Sequence, residues 1–448
     1  MTGTRISRLP KDPGVSGWEA MVDHQAAAPQ LSERKTADIL IIGAGFTGLA
    51  AARQLSLRAP DARVVILEAS KLAYGPAGRN SGFMIDLPHD LQSKDYGSGT
   101  LEHERLEIQD NRLGIEFAAS MARDANLDVE AFDRCGKYNA AATENGAAHI
   151  ETYRQQLDQL AEPYEVLDTK AIKAVTGSNY YKKALFTPGT AMIQPAAFIR
   201  AAANIIVSNR IILHENSPVI ELKRDGKTWL AITPKGSIAA SKIILAVNGH
   251  LNSFGFASQR IMHVHTYGSM TRAISKKDQR QLGGHDRWGI TSADPLGTSV
   301  RRITWRGEHR IVIRNRTTYD PDMEVSDKRV HEMGKTHDKC FAARFPNLKN
   351  LEMEYRWGGR LALTRNGVSI FGELEENLYS ANVQNGLGTA RGTFQGMMVA
   401  DLALGIASEP LRRLCTQSDP KKLAPPPFMK IGANAYLRWL ELRANQEL

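Results

Sequence analysis

The sequence lacks long apolar runs, has few cysteines and contains no biased segments. No stretch approaches the roughly 18–20 apolar residues that span a bilayer. The longest candidate, residues 37–55, is interrupted by glycines, so no transmembrane segment is expected. The opening MTGTRISRLPKDPG carries two arginines and a lysine but no apolar core, and no secretory signal is visible in it. Cys135, Cys340 and Cys415 lie far apart and form neither a CxxC pair nor a metal pattern. They argue against a disulfide framework or a structural zinc site and point to reduced thiols in a cytoplasm. Repeats and low-complexity segments are missing too. What is present is an ordinary globular balance, 42% apolar and 23% charged. The 448 residues suffice for two domains or one large composite.

The formal net charge is +9. A basic balance admits nucleic acid, an anionic membrane face or anionic small molecules as partners. Here the cations are scattered, with only short clusters such as Lys276-Lys277 and Lys421-Lys422. Nucleic acid is therefore not expected, and a dianionic cofactor with a mildly basic surface is the plainer account.

The strongest local signal is ADILIIGAGFTGLAAARQL, residues 37–55. Ala37–Ile42 reads as a short buried strand. Gly43, Gly45 and Gly48 follow as GxGxxG, with Ala44, Phe46 and Thr47 between them. Gly43 permits a tight turn, Gly45 lets a pyrophosphate approach the backbone, and Gly48 with Ala52 lets the next helix lie close to the sheet. That helix, expected from about Thr47 to Ser56, aims its amides and positive dipole end at the phosphates. A second strand, Arg63–Leu67, ends at Glu68, followed by Ala69. Glu68 stands 25 residues after Gly43, a spacing that suits a carboxylate accepting from ribose hydroxyls. An acid here argues against a ribose 2′-phosphate, hence against NADP. The bland alternative is a glycine turn with an exposed glutamate at a strand end.

The next segment, YGPAGRNSGFM (74–84), begins a resemblance that runs along nearly the whole chain. It resembles the FAD-dependent amine and amino-acid oxidoreductases of the D-amino-acid oxidase, glycine oxidase and sarcosine oxidase group, in particular the γ-glutamylputrescine oxidase-like branch. That branch typically carries GASGRNGG, so Ala77 replaces a serine and Ser81 a glycine. The resemblance implies a loop passing the FAD pyrophosphate and ribityl chain towards the flavin, through Gly78, Arg79, Asn80, Ser81 and Gly82. It further implies that Val219 offers its backbone to the adenine and that Asn248-Gly249 closes over the cofactor. TAMIQPAAFIRAAANII (190–206) is similar to a family helix opened by a proline, here Pro195 at its first position. Residues 355–405 resemble the closing module: WGG, a strand, the turn Gly386-Leu387-Gly388-Thr389 and a helix over Ala390–Leu404. Leu387 departs from the aromatic or histidine usual there. Gly392, Gly396 and Ala400, four apart, suit close helix packing. No histidine or cysteine sits in the 75–84 loop, so a noncovalent FAD is expected.

The fold expected from this is an α/β (α+β composite): a Rossmann-like FAD-binding domain with a discontinuous antiparallel-sheet substrate domain. The FAD-binding domain takes 36–90, 206–255 and 352–416, and the substrate domain 91–205 and 256–351. Residues 1–35 form an N-terminal arm, and 417–448 a C-terminal proline segment and helix. Leu101–Asn126 reads as an amphipathic helix with Leu106, Leu113, Phe117 and Met121 as its apolar stripe. Residues 298–319 read as a hairpin turning near Gly307-Glu308.

In the implied chemistry, FAD takes a hydride from the carbon beside an amine, and the imine hydrolyses to a carbonyl plus amine or ammonia. No strong base is needed and no catalytic dyad is visible. An acidic substrate, a medium-sized amine by resemblance, would need an arginine clamp. Arg360 follows WGG, near where glycine-oxidase-like relatives carry a carboxylate-binding arginine, though the proline of that pattern is Leu361. Arg302 and Arg314 lie on the expected roof strands. His263, His265 and Tyr267 alternate onto one strand face and could tune the amine's protonation. No metal is expected, and the electron acceptor is oxygen or another carrier. A hydroxy-acid oxidoreductase and a flavin-containing RNA-associated protein remain as alternatives.

Overall fold

A computed structural model describes residues 3–88, 100–425 and 428–448. The expected boundary between residues 90 and 91 lies outside the described residues. Two large sheets dominate. The first has nine strands and a parallel centre in which Ser237–Leu245, Arg34–Ile42, Val64–Leu67 and Ile211–His214 lie side by side. Val64–Leu67 is buried throughout and Arg34–Ile42 over its last four residues, which is why VVIL and ILII read as continuous apolar runs and not as alternating ones. Leu378–Asn382 adds a further parallel neighbour to Ser237–Leu245.

The second sheet has eight strands in the order Met353–Leu363, Met262–Thr271, Glu308–Tyr319, Ser299–Trp305, Trp288–Ser292, Lys137–Ala141, Lys183–Thr187 and Glu165–Asp168. All its neighbours are antiparallel except Trp288–Ser292 against Lys137–Ala141. Met353–Leu363, expected with the cofactor-binding segments, is thus the edge strand of this second sheet. It pairs along its whole length with Met262–Thr271. The hairpin turns at Arg306-Gly307, both at positive φ.

Phe46–Arg58 follows the glycine corner, and Ala390–Leu404 packs on it so closely that a side chain at Gly396 would enter the Thr47 carbonyl. Leu101–Asp124 crosses beside them. Its buried residues include Ile108, Asn111, Ile115, Ala118, Ala119, Ala122 and the expected Met121, whereas the expected Leu113 faces solvent. The reason is Gly114, which lies against the Ala390 carbonyl and turns the small-residue face inward, where two helix backbones can approach. Pro195–Ile206 starts with its proline in the first turn and the Gln194 side chain accepting from the Ala197 amide.

Candidate active site

The cavity of interest begins at the glycine corner. Gly43 has φ +104°, and a side chain there would strike the Ala246 carbonyl. Only glycine makes this turn at low cost. A side chain at Gly48 would in turn enter the Gly43 carbonyl, so the helix can start this close to the strand only because both residues are glycine. Gly45, in contrast, points its missing side chain into open cavity, the nearest atom being Ala77 Cβ at 3.6 Å. Gly75 and Gly388 also have nothing within 4 Å of such a position. The corner is therefore shaped to leave room along its backbone.

From there the cavity runs in two directions. One end is walled by Glu68, Ala69, Ser70, Pro218 and Val219. The Glu68 carboxylate accepts from the Ala44 amide at 2.9 Å and the Ser70 amide at 3.0 Å. Burial pushes its pKa up, against the pull of those amides. The other end passes Ala77, Asn80, Ser81 and Phe83 to Gly386, Gly388 and Thr389. Thr389 donates its hydroxyl to the Phe83 carbonyl at 2.7 Å, joining the two loops. Asn248 and Gly249 flank the middle. Asn248 sits at positive φ with a buried side-chain oxygen that has no hydrogen-bond partner among the described residues. An elongated ligand with an adenosine at the Glu68 end, a diphosphate across the amides of Ala44–Thr47 and a polar ring system near Ser81–Thr389 fits this donor and acceptor set.

Five of the expected cofactor residues act from behind the wall. Gly48 and Gly78 allow close backbone packing, with Gly78 against the Ala73 carbonyl. Arg79 donates to the carbonyls of Tyr74, Pro13, Gly14 and Gly358 and does not line the cavity. Gly82 is held by Asn80, whose side-chain oxygen accepts from its amide at 2.7 Å. Leu387, between two glycines, packs away from the opening against Phe83, Ile85 and Met192.

The expected catalytic residues do not converge. Arg360 lines the cavity, but its guanidinium is already engaged. It forms a two-point pair with Asp12, at 3.2 and 2.8 Å, and its third nitrogen donates to His250 Nε2. Burial and the Arg360 charge push His250 down to about 2 and His263 down to about 4, so both rings are neutral near pH 7. His263 lines the cavity, but His265 and Tyr267 do not. They share a face as expected, yet that face leads into a buried chain in which Tyr267 meets Thr318 at 2.7 Å and Thr318 donates to Asp320, which faces His265 at 3.5 Å. Arg302 donates to the Gly283 carbonyl and faces Asp286, likewise away from the cavity.

Several wall residues carry no signal in the sequence. Ile6, Arg8, Leu9, Pro10 and Asp12 all line the cavity, so the N-terminal arm is part of the site. It is fixed by Arg79 on the Pro13 and Gly14 carbonyls, by Ser16 donating to Gly78 and by Trp18 Nε1 donating to the Asn80 carbonyl at 2.9 Å. Arg301 lies over the rings of Trp18 and Phe83 and donates to the carbonyls of Ser81 and Ile193. Among the described residues no cluster of three metal-ligating side chains occurs and no helix is long and apolar enough to cross a membrane.

Comparison with known proteins agrees with this geometry. The family described as "DAO: FAD dependent oxidoreductase" matches residues 38–402. A gamma-glutamylputrescine oxidoreductase of Escherichia coli K12 is 26% identical over 401 residues, 88% of this chain and 89% of its own. A probable oxidoreductase OrdL of Rhizobium meliloti is 22% identical, covering 89% and 90%. Among solved structures, glycine oxidase from Geobacillus kaustophilus superposes with a TM-score of 0.68 at 21% identity, covering 84% of this chain and 96% of its own. An L-amino acid deaminase from Proteus myxofaciens gives 0.66 at 15%, covering 90% and 95%.

Proposed function

Because the chain belongs to the DAO family of FAD-dependent oxidoreductases, we propose that its cleft oxidises the C–N bond of a medium-sized amine carrying an acidic group. The carrying observation is the continuous backbone-lined cradle from Glu68 through the glycine corner to Thr389. FAD is held there without a covalent bond. When bound it supplies a two-electron acceptor for the hydride leaving the carbon beside the amine, and the resulting imine hydrolyses in water.

The protein's own part is positional. Ala44–Thr47 place amides and a helix N-terminus at the diphosphate. Glu68 is placed for the ribose hydroxyls, and Asn248 offers an acceptor to a ring or ribityl donor. The neutral His250 and His263 add no charge beside the site and leave the amine's own protonation to the solvent pH. The arm, Trp18 and Arg301 keep the Asn80–Phe83 loop in place from behind.

Anaerobic bleaching of the flavin tests the reading, using sarcosine, glycine, D-amino acids and γ-glutamylated amines in parallel with 2-hydroxy acids. Bleaching by an amine, with release of ammonia or a smaller amine, is expected. Bleaching by hydroxy acids alone would overturn it. An oxygen electrode run with the active amine then separates oxygen from another acceptor.

A further inference from the structure

The acidic end of the substrate needs a cation, and the charge of Arg360 is already matched by Asp12, with three of its five N–H donors engaged. The eight-stranded sheet supplies others. Arg301 contacts Ser81 and overlies Phe83, while Trp357 Nε1 donates to the Arg79 carbonyl at 3.0 Å. The face that carries Arg301 and Trp357 therefore looks onto the cofactor loop. Register then fixes what else lies on it. Trp357 pairs with Gly268, Gly268 with Arg314, and Arg314 with Ser299. One step on from the Ile290–Val300 pair, Ser299 faces Thr291, and Thr291 pairs with Asn139. These six residues form one row across six strands on the cofactor side.

On this face, at the row and two residues before its last member, lie two cations with no carboxylate hydrogen bond among the described residues. Arg314 has no hydrogen bond or carboxylate partner among the described residues, and burial alone pushes its pKa down to about 10. Lys137 is buried at 1% exposure, with its ammonium on Asn139 Oδ1 and 3.3 Å from Thr291 Oγ1. Burial pushes it down to about 8. The nearest acid, Asp86, is engaged by Arg112 at 2.9 Å. Strands ~4.8 Å apart put the Arg314 and Thr291 backbones ~10 Å from each other. A single acidic group above Ser299 and Thr291 is then within reach of both long side chains. Cations withdrawn from water are normally paired with an acid, so a buried Lys137 held only by neutral groups and a half-buried Arg314 with no partner, on one face, mark a place for an anion from outside the protein.

We propose that the acidic group of the substrate is bound on this row by Arg314 and Lys137, over the hydroxyls of Ser299 and Thr291, and not by Arg360. The inference rests on the amine-oxidation reading for the substrate's other end. Binding can nevertheless be read without turnover, so the two fail separately. The probes are 5-aminopentanoate and its neutral amide, titrated calorimetrically into the FAD-loaded full-length protein and its Arg314→Gln, Lys137→Met and Arg360→Gln variants. Flavin absorption and melting temperature establish that each variant is folded and loaded.

The expected result is that wild type binds the acid at least tenfold more tightly than the amide. That preference falls to within threefold in Arg314→Gln and drops measurably in Lys137→Met. Amide binding changes less than twofold in both. An acid preference that survives Arg314→Gln and disappears in Arg360→Gln would overturn the proposal, as would equal binding of acid and amide, or binding of neither, by wild type.

Discussion

Replacing Asp12 with alanine isolates the contact on which the arm depends. Asp12 and Arg360 are both buried, and their two-point pair closes the arm over the cavity. Removing one member of a buried pair leaves the other charge uncompensated, which costs about 3–5 kcal/mol. His250 cannot take up the difference, because its ring is neutral and accepts only one bond. The variant escapes the cost by releasing the arm, since Arg360 then meets water. Taking ~3 kcal/mol, arm opening becomes about a hundredfold more frequent. Trypsin reads this directly, because Arg5, Arg8 and Lys11 all lie in the arm. When opening is fast relative to cleavage, the cutting rate follows the open population. Asp12→Ala should therefore be clipped roughly a hundred times faster than wild type. The double variant Asp12→Leu/Arg360→Met, with no charge to strand, should return most of the way. Clipping of Asp12→Ala within threefold of wild type would refute the reasoning. So would a double variant as labile as the single one, because the effect would then not come from an unpaired charge.

The glycine corner separates folding from cofactor binding. Gly45→Val should fold and remain colourless, since its side chain enters only the cavity, whereas Gly48→Ala should lower stability with or without FAD, as its side chain would enter a backbone carbonyl; melting curves of apo and loaded protein distinguish the two. Lys137 carries its proton below about 8, so the apparent KM for an acidic amine should rise as pH climbs through 8, and Lys137→Met should flatten that limb. The charged groups around it are Asp86, itself paired with Arg112 at 2.9 Å, and Arg314 on the same sheet face. Tyr267→Phe should leave kcat and KM unchanged while lowering stability by about 1 kcal/mol, the worth of its bond to Thr318; a kcat loss with unaltered melting would return Tyr267 to the site.

What was legible in the sequence is what is encoded locally. Gly43, Gly45, Gly48 and Glu68 form one strand–turn–helix–strand unit, and each residue's task follows from its neighbours. Val219 and Asn248 were legible through the resemblance, and both line the cavity. Arg360 lines the cavity, but its partner lies 348 positions away in Asp12, and no local pattern announces such a pair. His265 and Tyr267 show the limit of period-two reasoning: the alternation holds, but it cannot say which face of a sheet looks at the ligand. Leu113 misled for a related reason, because in a tightly packed helix pair the inner face goes to glycine and alanine and not to leucine. Lys137 left one trace, a lysine and an asparagine two apart in the otherwise small and apolar strand KYNAA. Its meaning depended on sheet register, which only the assembled structure supplies.

The arm precedes its binding partners in the chain and is among the last segments able to settle. Its berth is built from Arg79, Leu222, Asp322 and Arg360, so most of the polypeptide must be synthesised before the opening residues have anywhere to dock. Until then the groove beneath stands open along its length, and a coenzyme can enter sideways without threading through a finished mouth. Loading before the arm docks and exchange after it has docked are therefore two different kinetic problems.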